Sequence, residues 1–148
     1  MTEAELKFFI DVVTDYFQQV SGVGASMGIP YVKKEEAVVL SYTGLIGISG
    51  PRKGGIYFTA GPALLSTLMG EILGVEEADE DSLLDMVGEI SNTVAGNVRK
   101  SFGTEFLISV PMLIKGKPDD ILFRLKPPVF VIPINWRHER AFLVVGLE

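Results

Sequence analysis

The sequence predicts a single α+β domain in which an antiparallel β-sheet is flanked by long helices. Two long stretches repeat apolar residues at the spacing of amphipathic helices. The remaining segments are short, rich in β-branched and aromatic residues, and separated by turns that contain Gly or Pro. No linker or low-complexity segment interrupts the 148 residues, so we assign residues 1–148 to one domain.

The first helix is predicted from about Glu3 to Val20. Thr2 and Glu5 have the spacing of a capping box, in which each side chain satisfies a backbone N–H at the helix start. Ser21-Gly22 follows as a stop signal. Six residues share one broad apolar face of this helix: Phe9, Val12, Val13, Tyr16, Phe17 and Val20.

Two further helices are predicted from their ends. Gly61-Pro62 opens the second, because proline is tolerated at the first helical position, and Gly74 closes it. The third and longest helix is predicted from about Asp81 to Phe102. Acidic residues lie at its positive N-terminal end, basic residues lie near its negative end, and Gly103 follows.

The remaining apolar segments are predicted to be strands. They are Ile29–Lys33, Ala37–Ser49, Gly55–Thr59, Phe106–Ile114, Ile121–Leu125, Val129–Asn135 and Ala141–Gly146. The order of a helix, a strand that follows an apolar-Pro dipeptide, and a hairpin occurs twice along the chain. We interpret this order as a possible internal duplication.

Composition excludes several classes of function. The formal net charge of −6 argues against a general binder of nucleic acids or anionic membranes, which needs clustered Lys and Arg. The chain has no Cys, one His and no acidic cluster with ligand spacing, so we expect no metal of its own. No apolar run approaches the roughly 18 residues that span a bilayer, and the first residues do not resemble a signal peptide. We therefore expect a cytoplasmic protein without membrane insertion.

A polar stripe on the third helix is the most chemically suggestive feature. The apolar residues of this helix share one face: Leu83, Val87, Ile90, Val94 and Val98. Asp85, Glu89, Asn92 and Gly96 fall nearly opposite them, at positions i, i+4, i+7 and i+11. This spacing places a carboxylate and a carboxamide one turn apart on the exposed face.

A solvated helix face is the simplest interpretation of such a stripe, because short motifs recur by chance. Two details favour a function instead. Asn and Gly are poor helix formers, costing a few tenths of a kcal/mol and about 1 kcal/mol relative to Ala. Gly88 and Gly96 flank the pair, so side chains are cleared from the surface beside it, which suits the close approach of another macromolecule.

The chemistry of the pair narrows what it could do. The carboxamide of Asn92 cannot act as a base, but it can hold a water by donating and accepting hydrogen bonds. The carboxylate of Glu89 can pair with a Lys or Arg of a partner. Together they suit the positioning of water in a displacement such as phosphoryl transfer, in which other groups stabilise the charge.

The segment DMVGEISNTVAGNVRK resembles the active-site helix of the CheC/CheX/FliY family of chemotaxis phosphatases. TGLIGISGPRKGGIYF is similar to the central hairpin of that family, and ISVPMLIKG is similar to the strand after its active-site helix. The resemblance covers most of residues 5–146. Only one Glu-x-x-Asn is present, and the first helix carries Asp11-Val-Val-Thr14 in the comparable region. The sequence therefore resembles the single-site CheX branch.

The resemblance implies a phosphatase that docks this helix on a phosphorylated CheY-like receiver domain. Glu89 would form an ion pair with the active-site Lys of the receiver, and Asn92 would align the water that attacks the aspartyl phosphate. The Mg²⁺ would belong to the receiver. Asp85, Gly88 and Gly96 would contribute to the contact with the partner.

Other interpretations remain open for the same fold. It could be a non-catalytic module that binds a receiver, or a dimerisation domain. We also expect a homodimer, because VFVIPI and AFLVVGL would otherwise leave a sheet edge unprotected. For His138 we favour a turn residue over a catalytic one, and for Trp136 a core residue over an interface anchor.

Overall fold

The computed structural model describes residues 1–121 and 128–148. The helices within these residues are α1 (Glu3–Ser21), α2 (Pro62–Leu73) and α3 (Glu80–Phe102). The strands are β1 (Ser26–Met27), β2 (Tyr31–Val32), β3 (Tyr42–Ser49), β4 (Gly54–Ala60), β5 (Leu107–Ile108), β6 (Met112–Lys115), β7 (Val129–Trp136) and β8 (Glu139–Leu147). The predicted helix ends are confirmed to within a residue or so, because each depends on a local capping signal.

The strands of the described residues form one antiparallel sheet in the order β1-β7-β8-β4-β3-β5. β2 also pairs with β7, and β6 also pairs with β3. Residues of all three helices join the same hydrophobic core on one face of this sheet. The predicted class, an antiparallel sheet flanked by long helices, is confirmed.

The two halves of the chain are arranged about an approximate two-fold axis. Tyr57 of β4 faces Val144 of β8 at the centre of the sheet, and the hairpins β3–β4 and β7–β8 extend from there in opposite directions. The short strands β1 and β2 pair with the hairpin of the second half, whereas β5 and β6 pair with that of the first. This is the arrangement that an internal duplication implies.

The prediction that VFVIPI and AFLVVGL leave an open edge is wrong. These segments form β7 and β8, and β8 lies between β7 and β4 while β7 lies between β8 and the short strands β1 and β2. Strands that are apolar along their whole length are typical of the interior of a sheet. The edges are formed by the short strands, and most of the predicted strand Ile121–Leu125 lies outside the described residues.

The strand predicted over Ala37–Ser49 is observed only in its second part, as β3. The residues before β3 bond to side chains of the sheet instead of to a neighbouring strand. The hydroxyl of Tyr57 donates to the carbonyl of Val38 at 2.8 Å, and the Thr59 hydroxyl accepts from the backbone N–H of Leu40 at 2.8 Å. This apolar segment therefore covers the sheet face that the helices leave open.

The strand predicted over Phe106–Ile114 is divided into β5 and β6 by a bulge. Both strands pair with β3, but Ser109-Val110-Pro111 lies opposite only Ile46 and Gly47. Proline has no N–H for the ladder, and the hydroxyl of Ser109 accepts the backbone N–H of Gly47 at 2.9 Å. The segment between β1 and β2 also has one residue more than the part of β7 that it faces. Pro30 in this segment corresponds to Pro111.

The predicted roles of Trp136 and His138 agree with the structure. Trp136 is fully buried, its ring lies 5.6 Å from that of Phe17, and its indole N–H donates to the carbonyl of Val23 at 2.9 Å. Arg137 and His138 form the turn between β7 and β8, both with positive φ. His138 is thus a residue of a tight hairpin turn.

Contact between α3 and β3 sets the height of the helix above the sheet. A Cβ added at Gly44 would lie 2.3 Å from the hydroxyl oxygen of Ser91 and 2.9 Å from the carbonyl of Val87. The Ser91 hydroxyl is buried, lying 2.8 Å from the carbonyl of Val87 and 3.1 Å from that of Gly44. Any larger residue at position 44 must push α3 outwards.

We expect Gly44→Ala to lower the free energy of unfolding by about 2 kcal/mol or more, because the new methyl overlaps a buried hydroxyl and a helix carbonyl. Gly47→Ala is the matched control in the same strand, since a Cβ there would find its nearest neighbour, Ser109, at 3.6 Å. Urea unfolding of both variants measures the difference. Equal destabilisation by the two substitutions would contradict this account of the contact.

Candidate functional site

The N-terminus of α3 is fixed one turn before the polar stripe. Asp79 is the N-cap, and its carboxylate accepts the backbone N–H of Ser82 at 2.8 Å, which lowers the pKa of Asp79. Glu80 and Asp81 occupy the first turn, where the helix dipole favours negative charge. The register of the stripe is therefore determined from the helix start.

The structure places the predicted core and polar faces of α3 as the spacing indicates. The five apolar residues predicted for the core side are all buried: Leu83, Val87, Ile90, Val94 and Val98. Asp85, Glu89 and Asn92 are exposed, and a Cβ added at Gly96 would meet nothing within 4 Å. The open surface predicted beside Asn92 is thus found at Gly96.

The corresponding expectation for Gly88 is wrong. Gly88 is buried, and a Cβ there would lie 2.6 Å from a terminal methyl of Leu113 in β6. The absence of a side chain allows β6 to pack against the helix instead of leaving bare surface. Helical spacing alone could not reveal this, because the partner of Gly88 comes from a strand 25 residues further on.

A groove runs between α3 and β6, with a volume of about 340 Å³. We call it the α3–β6 groove. One wall is the helix, with Asp85, Gly88, Glu89 and Asn92, and the other is Pro111 and Leu113. The residues predicted for catalysis and most of those predicted for partner binding therefore share one opening, which Gly96 extends along the helix.

The side chains of Glu89 and Asn92 are available for a partner. Within residues 1–121 and 128–148, no other residue makes a hydrogen bond or an ion pair with either side chain. Both are exposed, so each is hydrated in the isolated protein at little cost. A carboxylate and a carboxamide without internal hydrogen bonds or ion pairs can exchange water for groups of another molecule.

The first helix has a counterpart of this groove without its chemistry. Glu3, Leu6, Lys7 and Ile10 line a groove beside Pro30 with the same spacing that the α3 residues have beside Pro111. Lys7 and Ile10 thus take the places of the Glu and the Asn. The segment Asp11-Val-Val-Thr14 was identified from the sequence as the comparable region of the first helix. Its Thr14 hydroxyl donates a hydrogen bond within its own helix, to the carbonyl of Ile10 at 2.8 Å.

Sequence reasoning missed one residue on which the charge of the site acts. Tyr16 of α1 is only 5% exposed, and it is the residue on which the charge of Glu89 acts most clearly. Burial first, and then the negative charge of Glu89, raise the pKa of Tyr16 to about 12. The periodicity of α1 indicated only a core residue, since the crossing of two helices distant in sequence leaves no local signal.

No group of three His, Cys, Asp or Glu side chains in residues 1–121 and 128–148 could hold a metal ion. No helix there is long and apolar enough to cross a membrane.

The fold is that of the CheC-like superfamily. A CheC-like protein from Shewanella sp. PV-4 has a TM-score of 0.87 and 26% identity, and the match covers 100% of this chain and 99% of that one. The family model described as chemotaxis phosphatase CheX matches residues 42–135, which is more than half of the chain. The chain belongs to the CheX family, as its sequence indicated.

Two other solved structures are informative. The chemotaxis protein CheX from Vibrio vulnificus has a TM-score of 0.86 and 24% identity over 98% of this chain and 99% of that one. A CheX from Borrelia burgdorferi, solved in a complex with CheY, BeF₃ and Mg²⁺, has a TM-score of 0.78 and 18% identity over 97% of both chains. At these identities the likeness shows the fold. None of the curated proteins compared with the chain matches it.

We expect Glu89→Gln to lower the pKa of Tyr16, because the substitution removes the second cause of its increase. A titration of tyrosinate absorbance, taken as the difference between each protein and its Tyr16→Phe version, measures this pKa. Asp85→Asn is the control and should leave the value near 12. An unchanged pKa in Glu89→Gln would show that the charge of Glu89 does not act on Tyr16.

The same shift predicts how stability depends on pH. The folded protein favours the neutral phenol of Tyr16. Tyr16 therefore contributes its full stabilisation of the folded state at pH values below its ordinary pKa, near 10. The contribution is lost as the pH rises from about 10 to about 12, because the unfolded chain ionises first. Tyr16→Phe should therefore flatten the decline in stability over this range.

Proposed function

We propose that this protein is a phosphatase that hydrolyses the aspartyl phosphate of a CheY-like receiver domain, in chemotaxis or related two-component signalling. The observation that carries the proposal is the exposed pair of Glu89 and Asn92, one helical turn apart and without a partner among the described residues. Membership of the chemotaxis phosphatase family and the complex of the Borrelia CheX with CheY support it. A cytoplasmic location accompanies this proposal.

In the proposed reaction Asn92 positions a water molecule in line with the phosphoryl group. Its carboxamide oxygen accepts a hydrogen bond from the water, while the NH₂ group is free to donate to a phosphoryl oxygen. The water oxygen forms a bond to phosphorus as the bond to the aspartyl oxygen breaks. The products are inorganic phosphate, which retains the protons of the water, and the free Asp carboxylate. Asn92 itself takes up no proton.

Glu89 acts in the proposal as an anchor for the receiver. Its carboxylate pairs with the Lys of the receiver active site, which fixes the distance between the phosphoryl group and Asn92. Positioning of this kind supplies much of the catalysis in phosphoryl transfer, where the charge is stabilised by existing cations. Those cations, the Lys and a Mg²⁺, belong to the receiver, and this chain contributes no cofactor.

The other residues of the site form the contact surface in this proposal. Asp85 extends the acidic surface by one turn on the N-terminal side, and Gly96 leaves open space on the C-terminal side where a loop of the partner can approach. Gly88 is buried in the helix wall of the α3–β6 groove, so it shapes this surface by letting Leu113 pack close to the helix and does not itself contact the partner.

We expect Asn92→Ala to lower the maximal rate of dephosphorylation on the order of 10²-fold, because a group that positions the nucleophile is lost. Binding of the receiver should change little. Single-turnover decay of a phosphorylated CheY-like receiver with saturating wild-type or variant protein measures the rate. Equal decay rates would favour the alternative, a non-catalytic module that binds receivers. Thermal melts of this exposed variant check that the fold is intact.

Glu89→Ala should act mainly on binding. The concentration of phosphorylated receiver at half-maximal rate should rise on the order of tenfold at low salt, and less at high salt, where an exposed ion pair is screened. Steady-state kinetics at two salt concentrations separate this effect from a loss of maximal rate. An effect that is independent of salt would contradict the ion pair.

We also propose a homodimer that forms through the edges of the sheet. Apolar side chains are exposed along both edges: Ile29, Tyr31, Val32, Leu107, Val110, Met112 and Leu113. Edge strands with exposed apolar residues are templates for pairing with another chain. Light scattering should give twice the chain mass of 16.1 kDa, whereas a monomer at micromolar concentration would refute the dimer.

A further inference from the structure

A second groove lies between α2 and α3, on the other side of the polar stripe. We call it the α2–α3 groove, and its volume is about 470 Å³. Met69 and Met86 are nearly buried at its base, while Ile72 and Leu73 at the end of α2 remain 37% and 64% exposed. An exposed Leu and Ile beside a groove present an apolar surface that is incompletely covered in the isolated chain.

The opposite wall of the α2–α3 groove is polar and acidic. It is formed by α3, with Ser82, Asp85 and Glu89 on successive turns. Asp85 and Glu89 are four residues apart on one helix face, where like charges destabilise a helix by roughly 0.2–0.5 kcal/mol. No basic side chain of residues 1–121 and 128–148 forms an ion pair with either of them. A cation from another molecule would relieve this repulsion.

The two grooves meet at the same acidic residues. Asp85 and Glu89 line both the α3–β6 groove, which contains Asn92, and the α2–α3 groove. The stripe is therefore a ridge between two grooves, of which the α2–α3 groove is the more apolar. Because Glu89 lines both grooves, a globular partner bound to Glu89 and Asn92 comes within reach of the apolar groove on the other side of the ridge.

From these contacts we infer that the α2–α3 groove is a docking site for the receiver domain. The groove takes an apolar side chain of the receiver that lies next to a basic residue, with the apolar group between Leu73 and the two methionines and the cation against Asp85. This inference rests on the proposed function and adds a second point of attachment to it.

The properties of the groove favour this occupant over a second copy of the chain. The chain carries a formal net charge of −6, so a second copy would bring further negative charge to an acidic rim. Methionine side chains are flexible and polarisable, so they adapt to apolar groups of different shape. The groove therefore contributes to affinity for the receiver without taking part in the reaction.

The inference is tested with Leu73→Ser, which removes exposed apolar surface from the groove and leaves the core unchanged. The matched control is Gln19→Ser, because Gln19 is similar in size to Leu and also exposed, but lies on α1 outside both grooves and the sheet edges. Both variants and the wild type are assayed with the same phosphorylated CheY-like receiver over a range of receiver concentrations. Binding of the receiver is measured in parallel by fluorescence anisotropy.

We expect Leu73→Ser to raise KM for the receiver on the order of tenfold with kcat unchanged, since the contact that it removes is apolar and distant from the phosphoryl group. The dissociation constant should rise by the same factor. Asp85→Asn should raise KM less, and its effect should decrease at high salt. The control Gln19→Ser should retain wild-type kinetics.

The outcomes separate this inference from the proposed function. If Leu73→Ser keeps the wild-type KM while Asn92→Ala loses kcat, the groove is not a docking site but the phosphatase proposal stands. An equal rise of KM in Gln19→Ser would also overturn the inference. If Leu73→Ser dissociates a dimer in light scattering, the occupant is a second copy and the receiver is excluded. A wild-type protein that neither binds nor dephosphorylates any receiver overturns both proposals.

Discussion

The contact between Ser91 and Gly44 determines where the polar pair can lie. Ser91 stands between Glu89 and Asn92 in the sequence, and its hydroxyl points into the sheet, where it reaches the carbonyl of Gly44. Successive helical residues are rotated by about 100° around the helix axis. Burial of Ser91 therefore places Glu89 and Asn92 on the side of the helix that faces the surface. A glycine in the middle of a strand weakens the strand. At Gly44 the missing side chain allows α3 to lie directly on the sheet.

Two grooves and a ridge then follow from how α3 is covered. On one side β6 approaches closely, because Gly88 has no side chain to hold Leu113 away. On the other side α2 ends at Leu73, before it can cover the whole surface of α3. The exposed face of the helix is thus open along its length but bounded on both sides, so that a partner can contact it in few orientations.

The sequence predicted those features that depend on local chemistry. Helix ends, the core face of α3 and the exposure of Asp85, Glu89 and Asn92 follow from capping residues and from helical period. The interior positions of β7 and β8 were not predicted, nor were the effect of Glu89 on Tyr16 and the packing of Leu113 over Gly88, because these depend on contacts between distant segments. A run such as AFLVVGL, apolar on both faces, was nevertheless a usable signal for a central strand.

The exchange of short strands between the two halves has a consequence for how the chain folds. β1 and β2 come within the first third of the chain, but their partner is β7, about a hundred residues later, with Met27 facing Ile134 and Val32 facing Phe130. Such long-range pairing loses conformational entropy when it closes a large loop, before the contacts that offset this loss can form. This order of events slows folding. During synthesis, β1 and β2 leave the ribosome before the β7–β8 hairpin exists, so their backbone N–H and C=O groups lack this partner until the hairpin emerges.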